Sequence, residues 1–75
     1  MSGQGVVLFY VIHAVFQLEH ALKRRGIECK PIPTPRYLSS DCGTAVRFPW
    51  DRREEVQAAI AEEDLEIEGV HELRE

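Results

Sequence analysis

Gly5-Val6-Val7-Leu8-Phe9-Tyr10-Val11-Ile12 is the stretch that decides the fold of this 75-residue chain. Its β-branched and aromatic residues predict a strand. Because both parities of the alternation are apolar, we expect a central strand that is covered on at least part of both faces. From His13 onward the apolar period becomes that of a helix. The helical stripe consists of Ala14, Val15, Leu18, Ala21 and Leu22.

Two further strands are indicated on either side of a Pro-rich loop. Gly26 supplies a left-handed cap after the first helix, and Ile27 to Ile32 then alternates apolar and charged residues. Pro31 cannot donate a hydrogen bond to a ladder, so this second strand is expected at a sheet edge. Thr44 to Phe48 reads as the third strand, which Pro49 ends.

The C-terminal third predicts a helix and a last strand. Asp51 with Glu54 three residues later resembles a capping box, which starts a helix. The helix buries a stripe of three residues, and a short strand follows with its glutamates facing water. The apolar residues concerned are Val56, Ala59 and Ile60 in the helix, and Leu65, Ile67 and Val70 in the strand.

The element order β-α-β-β-α-β predicts an α+β fold, the ferredoxin-like two-layer sandwich, with an antiparallel sheet of order 4-1-3-2. We expect a single domain over residues 1–75, with an ordered core of about 5–73. In this topology the loop after the second strand and the start of the first helix share one end of the sheet. Helices cover only one face, so part of the first strand should be exposed on the other, which suggests a homodimer or a docking partner there.

The loop from Pro33 to Gly43 carries the most conspicuous nucleophile, Cys42. A thiol reacts as its thiolate, so a reactive cysteine needs a positive or donor-rich setting. The N-terminus of the first helix and His13 should lie at the same end of the sheet, whereas Asp41 opposes ionisation. The loop itself supplies a cation, Arg36, and two hydroxyl donors, Ser39 and Ser40. Gly43 has no side chain, so a partner can come close to the sulfur of Cys42. Alternatively, Cys42 is a small residue at a strand start and Arg36 an exposed charge.

Ile32-Pro33-Thr34-Pro35-Arg36 followed by Ser39-Ser40-Asp41-Cys42-Gly43-Thr44-Ala45-Val46-Arg47 resembles the DUF3343 family, whose members are described as Se/S-carrier-like. The family pattern is roughly I-P-T-P-R-x-[IL]-S-S-x-C-G-x-A-[LIV]-R, and the looser agreement extends over about residues 6 to 73. The chain departs from the family at Val11-Ile12-His13, where members often carry a polar Ser/Thr-His stretch.

The resemblance implies that Cys42 carries sulfur or selenium as a persulfide or selenosulfide, received from a donor protein and passed to an acceptor. It also draws attention to the polar and small residues of the block: Thr34, Arg36, Ser39, Ser40, Gly43 and Arg47. Such a protein is more a carrier than a stand-alone enzyme and implies no cofactor. A non-catalytic interaction or ligand-sensing module that uses the open sheet face is the alternative. A peroxide or disulfide-exchange thiol protein is a third.

The remaining chemistry-bearing residues favour structural roles. Cys29 has the inward parity of its strand, and a hairpin closed by residues 33 to 41 would place it opposite a residue near Ala45, out of reach of Cys42. The three histidines lack paired zinc-ligand spacing, so we expect no metal site. Arg47 faces the uncovered side of the sheet, pairs with a glutamate, or lines a binding site. Trp50 covers part of the open face or caps the second helix.

The charge balance and hydropathy of the chain limit its partners. The formal net charge is −4, which argues against a nucleic-acid partner. No apolar run approaches the roughly 20 residues of a membrane helix. With two cysteines and no secretory signal pattern, we expect a cytoplasmic protein.

Overall fold

The computed structural model describes residues 3–38 and 42–73 of the chain. Its elements, in chain order, are β1 (Gln4–Phe9), α1 (Ile12–Arg24), β2 (Lys30–Pro33), β3 (Thr44–Pro49), a 3-10 turn (Trp50–Arg52), α2 (Arg53–Glu62) and β4 (Ile67–Glu72). The sheet order is β2-β3-β1-β4, with each neighbouring pair antiparallel. This is the predicted order 4-1-3-2 read from the other edge, so the ferredoxin-like α+β fold is confirmed.

The helix-facing side of the sheet forms the larger core. Val7 and Phe9 of β1 lie beside Val46 and Phe48 of β3, and all four are buried. Both helices pack their apolar stripes on this face, as the periodicity predicts. The buried helix residues are Ala14, Val15, Leu18, Ala21 and Leu22 of α1, and Val56, Ala59 and Ile60 of α2.

The opposite face of the sheet is also covered, which contradicts the expectation of an open apolar face along β1. Val6 and Leu8 are 0% and 3% exposed, and with Ala45 they form a second buried cluster. Three partly buried side chains pack against this cluster: Ile32, Leu38 and Leu73. Leu38 lies in the Pro-rich loop and Leu73 follows β4, so irregular segments supply the cover that helices do not.

The first strand is shorter than its apolar run. β1 ends at Phe9, which pairs with Ile67, and α1 begins at Ile12. Tyr10 and Val11 connect the two elements and are exposed at 44% and 58%. The strand predicted to reach Ile12 stops earlier because the chain must turn here to bring α1 back over the sheet.

Both helices end in the same hydrogen-bonded cap. Gly26 adopts the left-handed conformation (φ 73°), its amide donates to the Lys23 carbonyl, and the Ile27 amide donates to that of Leu22. This pattern is the Schellman motif, which satisfies carbonyls that a helix end leaves open. The predicted glycine cap is therefore confirmed. α2 repeats the motif with Asp64 (φ 53°) in the position that Gly26 occupies after α1.

Two local predictions were wrong. Asp51 lies inside the 3-10 turn, and α2 begins after Arg52 with no side-chain cap hydrogen bond, so the capping box is not formed. Lys30 pairs with Arg47, and Ile32 pairs with Ala45. Cys29, the residue before β2, therefore lies closer to Phe48 than to Ala45 in the strand register. The loop between β2 and β3 spans residues 34–43, beyond the Pro33–Thr44 pair, instead of the expected 33–41. This difference changes which residues of β2 and β3 are opposite each other.

Trp50 packs on the helix side of the sheet and not on the outer face. Its ring stacks on Phe48 with centroids 5.9 Å apart, and it adjoins the helix-side core. The guanidinium carbon of Arg53 lies 5.3 Å from the Trp50 ring centroid. The indole also covers Gly5 of β1, where a side chain would collide with it.

Candidate functional site

Cys42 lies at the sheet end from which α1 starts. Its backbone amide donates a hydrogen bond to the carbonyl of Phe9, the last residue of β1, at 3.3 Å. α1 begins three residues after Phe9. The topology therefore brings the cysteine and the start of the helix to one end of the molecule, as the strand order predicts.

Thr34 anchors the backbone on both sides of the Cys42–Gly43 peptide bond. Its hydroxyl donates to the Cys42 carbonyl at 3.0 Å, and its amide donates to the Gly43 carbonyl at 2.9 Å. These bonds extend the β2–β3 pairing one step beyond the Pro33–Thr44 pair. A threonine suits this position because it contributes a side-chain donor in addition to its amide.

The Cys42 side chain belongs to the helix-side core. The residue is 7% exposed and is part of the same buried cluster as Val7 and Phe9. Gly43 next to it is exposed, and a Cβ built on this glycine would meet no atom within 4 Å. Cys42 is therefore largely buried at the sheet end, while its neighbour on the chain faces solvent.

The N-terminus of α1 gives this end of the molecule a partial positive charge. α1 is 13 residues long, no acidic residue lies in its first turn, and its N-cap residue Val11 makes no side-chain cap hydrogen bond. The first amides of a helix have no partner within the helix, and the aligned peptide dipoles favour an anion near them. Electrostatically, this end of the sheet suits a negative charge.

Arg36 is exposed at the corner of a turn. The Leu38 amide donates to the Pro35 carbonyl at 3.0 Å, which closes a β-turn with Arg36 and Tyr37 at its centre. Ser39 and Ser40, the two predicted hydroxyl donors, and the opposing Asp41 lie outside the described residues.

His13, the second residue of α1, is exposed and lines a groove of about 410 Å³. The other residues of the groove are Phe16, Gln17, His20 and Glu63. The groove thus runs along α1 towards the end of α2, and Cys42 is not among its lining residues.

Arg47 lies apart from Cys42. It is exposed on the outer face of β3, five residues further along the chain, which corresponds to roughly 16 Å of extended strand. It lines a cleft of about 540 Å³ together with Gln4, Glu28, Cys29 and Lys30. Sequence reasoning singled out Arg47 but missed Lys30, although the alternation of β2 would have placed it on the same face once the register was known.

Cys29 is a half-buried thiol of a different kind. Its Sγ lies 3.7 Å from the Glu19 carbonyl oxygen as a hydrogen-bond donor. Burial, followed by the negative charge of Glu19, raises the pKa of this thiol above its ordinary value, and Lys23 opposes the shift. Neither Cys29 nor Cys42 forms a disulfide.

Within residues 3–38 and 42–73, no three His, Cys, Asp or Glu side chains are arranged to hold a metal ion. None of the helices in this part of the chain has the length and apolar character needed to cross a membrane.

The fold and the site define a small ferredoxin-like protein with one cysteine held at the end of the sheet, just before β3 begins. The model of the family described as "Putative Se/S carrier protein-like" matches residues 4–72. The chain belongs to this family, as the resemblance predicts. No curated protein and no solved structure matches the chain.

Proposed function

We propose that this protein is a cytoplasmic sulfur or selenium carrier, a single domain over residues 1–75, that holds the transferred atom on Cys42. Membership of the Se/S carrier-like family over residues 4–72 is the observation that carries the proposal. The position of Cys42 at the α1 end of the sheet supports it, because a persulfide is an anion and the helix N-terminus favours negative charge.

The transfer is a nucleophilic displacement without net oxidation. The Cys42 thiolate attacks the terminal sulfur of a donor cysteine persulfide, a new S–S bond forms at Cys42, and the donor S–S bond breaks. The electron pair of that bond leaves with the donor thiolate, which takes up the proton that Cys42 released. A selenium atom bound to a donor cysteine transfers in the same way, and the acceptor step is the reverse exchange with a new partner.

We assign roles in the proposed site to residues of the Pro-rich loop and of the start of α1. Thr34 donates hydrogen bonds to the Cys42 and Gly43 carbonyls, which fix the position of the backbone that carries the thiol. Arg36 contributes positive charge from the same loop, and we assign His13 a role in proton transfer at this end of the sheet. Ser39 and Ser40 complete the proposed set as hydroxyl donors.

Access to the buried thiol depends on the partner. Cys42 is only 7% exposed, and we propose that partner binding uncovers its Sγ for the donor. The Cys42 amide donates to the carbonyl of Phe9, and a segment of exposed apolar residues begins directly after Phe9. The segment consists of Tyr10, Val11, Ile12 and Phe16. We propose that a persulfide-bearing sulfurtransferase docks on this apolar segment and that docking exposes the thiol. Aromatic side chains such as Tyr10 and Phe16 are enriched in protein interfaces.

Mass spectrometry after sulfur loading tests the proposal. The wild type, Cys42→Ser and Cys29→Ser are incubated with a cysteine desulfurase and L-cysteine, and separately with inorganic polysulfide, which needs no docking surface. We expect the mass of one added sulfur atom in the wild type and in Cys29→Ser, located at Cys42, and none in Cys42→Ser. Absence of loading at Cys42 with both donors, or equal loading of Cys29, contradicts the proposal.

A non-catalytic interaction module is the second candidate, and the burial of Cys42 favours it. In that function the exposed apolar segment binds a partner and Cys42 is a core residue. The outer sheet face is not the surface concerned, because Val6 and Leu8 are buried there. Phe16 is 58% exposed, and in this function Phe16→Ser would abolish partner binding. Cys42→Ser would retain both partner binding and cellular function. The carrier function requires that Cys42→Ser lose function with binding intact.

A further inference from the structure

The outer face of the sheet brings two cations together near one edge. Lys30 of β2 is directly opposite Arg47 of β3, and Arg47 is in turn opposite Val6 of β1. Residues directly opposite in an antiparallel pair share a face, with Cβ atoms about 5 Å apart. Both side chains are exposed and both line the cleft of about 540 Å³.

Within residues 3–38 and 42–73, neither Lys30 nor Arg47 belongs to an ion pair. The three ion pairs recorded there join Lys23 to Glu19, Arg25 to Glu62 and Arg52 to Glu55, all on helical or turn segments. Glu28 lines the cleft but forms no ion pair in this set. Two cations against one carboxylate leave the cleft with a net positive charge.

The arrangement is unfavourable without a ligand and favourable with one. Like charges directly opposite on neighbouring strands destabilise a sheet. An oxyanion between them removes the repulsion and accepts charge-assisted hydrogen bonds, two from the planar guanidinium and one from the ammonium group. The Gln4 side-chain amide, on the same cleft, adds a neutral donor.

We propose that the cleft lined by Gln4, Glu28, Cys29, Lys30 and Arg47 binds a phosphate group, carried on a small organic molecule. Its volume falls within the range of small-molecule sites, roughly 300–1,000 Å³, and so leaves room for an organic group beside the phosphate. The site lies away from Cys42 along β3 and is independent of the carrier proposal. Cys29 also lines the cleft, and its thiol donates a hydrogen bond to the Glu19 carbonyl.

NMR titration at constant pH and ionic strength tests this site. Inorganic phosphate and glycerol 3-phosphate are compared with chloride while the Arg47 Nε–H and Gln4 side-chain amide signals are followed. We expect saturable shifts in the wild type. Binding should weaken roughly ten-fold or more in Lys30→Gln, which loses one charge-assisted bond, and at least as much in Arg47→Gln, which loses two. Arg24→Gln is the matched control, because Arg24 is an exposed cation on α1, and it should bind as the wild type does.

Each outcome decides a part of the proposal. Linear, non-saturating shifts, or equal binding by Arg47→Gln, Lys30→Gln and Arg24→Gln, overturn the site and show general ion effects only. Tighter binding of glycerol 3-phosphate than of inorganic phosphate supports the organic ligand. Equal affinities overturn the organic part and leave a site for the inorganic ion. All three substitutions are at exposed positions, so folded protein is expected in every arm.

Discussion

Gly5→Ala tests the packing of the chain most directly, because one added methyl group meets a defined obstacle. A Cβ at Gly5 would lie 2.4 Å from Cε3 of Trp50 and 2.7 Å from Cζ of Phe48. Both rings belong to a stacked pair, and Arg53 also contacts Trp50, through its guanidinium over the ring and a 3.2 Å hydrogen bond donated to the Trp50 carbonyl. The rings therefore cannot withdraw without losing these contacts.

The expected free-energy change is the difference of two terms. Overpacking a buried site costs about 1–3 kcal/mol. Replacing glycine by alanine at a position without strained φ returns about 0.5–1 kcal/mol, since the unfolded chain loses freedom. Because the added Cβ would come closer than 3.0 Å to two rings, the overpacking cost should lie in the upper part of its range, about 2–3 kcal/mol, which leaves a net destabilisation of about 1–2.5 kcal/mol. For a domain of this size, each kcal/mol lowers the melting temperature by roughly 4–8 °C.

Urea unfolding followed by circular dichroism and by Trp50 fluorescence measures this change. Gly43→Ala is the matched control, because a Cβ there has nothing within 4 Å, and we expect its stability to stay within about 0.5 kcal/mol of the wild type. The pair Gly5→Ala and Trp50→Leu should show a coupling energy of about 0.5–3 kcal/mol. A Gly5→Ala variant as stable as the wild type, or no coupling with Trp50, would refute the reasoning.

Three further outcomes follow from the caps, the second thiol and the outer face. Asp64→Gly should stabilise the protein by about 0.5–1 kcal/mol in urea unfolding, because φ 53° strains a non-glycine residue and a carboxylate opposes the helix dipole there; equal stability would contradict this. The pKa of the Cys29 thiol is raised in the folded protein. The protonated thiol should therefore stabilise the fold at pH values below the thiol pKa of the unfolded chain, and this stabilisation should be lost as the pH rises through the thiol pKa of the folded protein. Unfolding of the wild type and of Cys29→Ala is compared at alkaline pH, and the variant should lack this pH dependence of stability. Identical pH profiles of the two proteins would exclude a contribution from Cys29. Leu38→Ala should cost about 1–2 kcal/mol by thermal unfolding, because Leu38 covers Val6 and Leu8; no loss would mean that the loop does not stabilise the outer face.

Much of the fold was predictable because its elements are specified by neighbouring residues. The stripe of α1, the left-handed Gly26 and the edge position of β2 with its Pro31 follow from periodicity and backbone chemistry. Residue types also identified the loop around Cys42 as the candidate site. The start of α2 was mispredicted, since the 3-10 turn at Trp50–Arg52 occupies the place where a capping box was expected.

The surroundings of the candidate residues could not be read in the same way. Cys42 and Gly43 meet Thr34 because the β2–β3 pairing continues past Pro33 and Thr44, which requires the register. The same register separates Arg47 from Cys42 and places it beside Lys30. A shift of the hairpin by a few residues changes every cross-strand neighbour, and nothing in the local pattern sets that shift.

The sequence by itself determined the elements, their order, the apolar stripe of each helix and the family to which the chain belongs. Those properties depend on residue types at short spacing, which act through local sterics, hydrogen bonding and periodicity. Only the tertiary structure decided that Cys42 is buried, that Leu38 and Leu73 close the outer face, and that Trp50 lies over Gly5. Burial and register arise from contacts between residues far apart in the chain, which form only when the whole sheet is assembled.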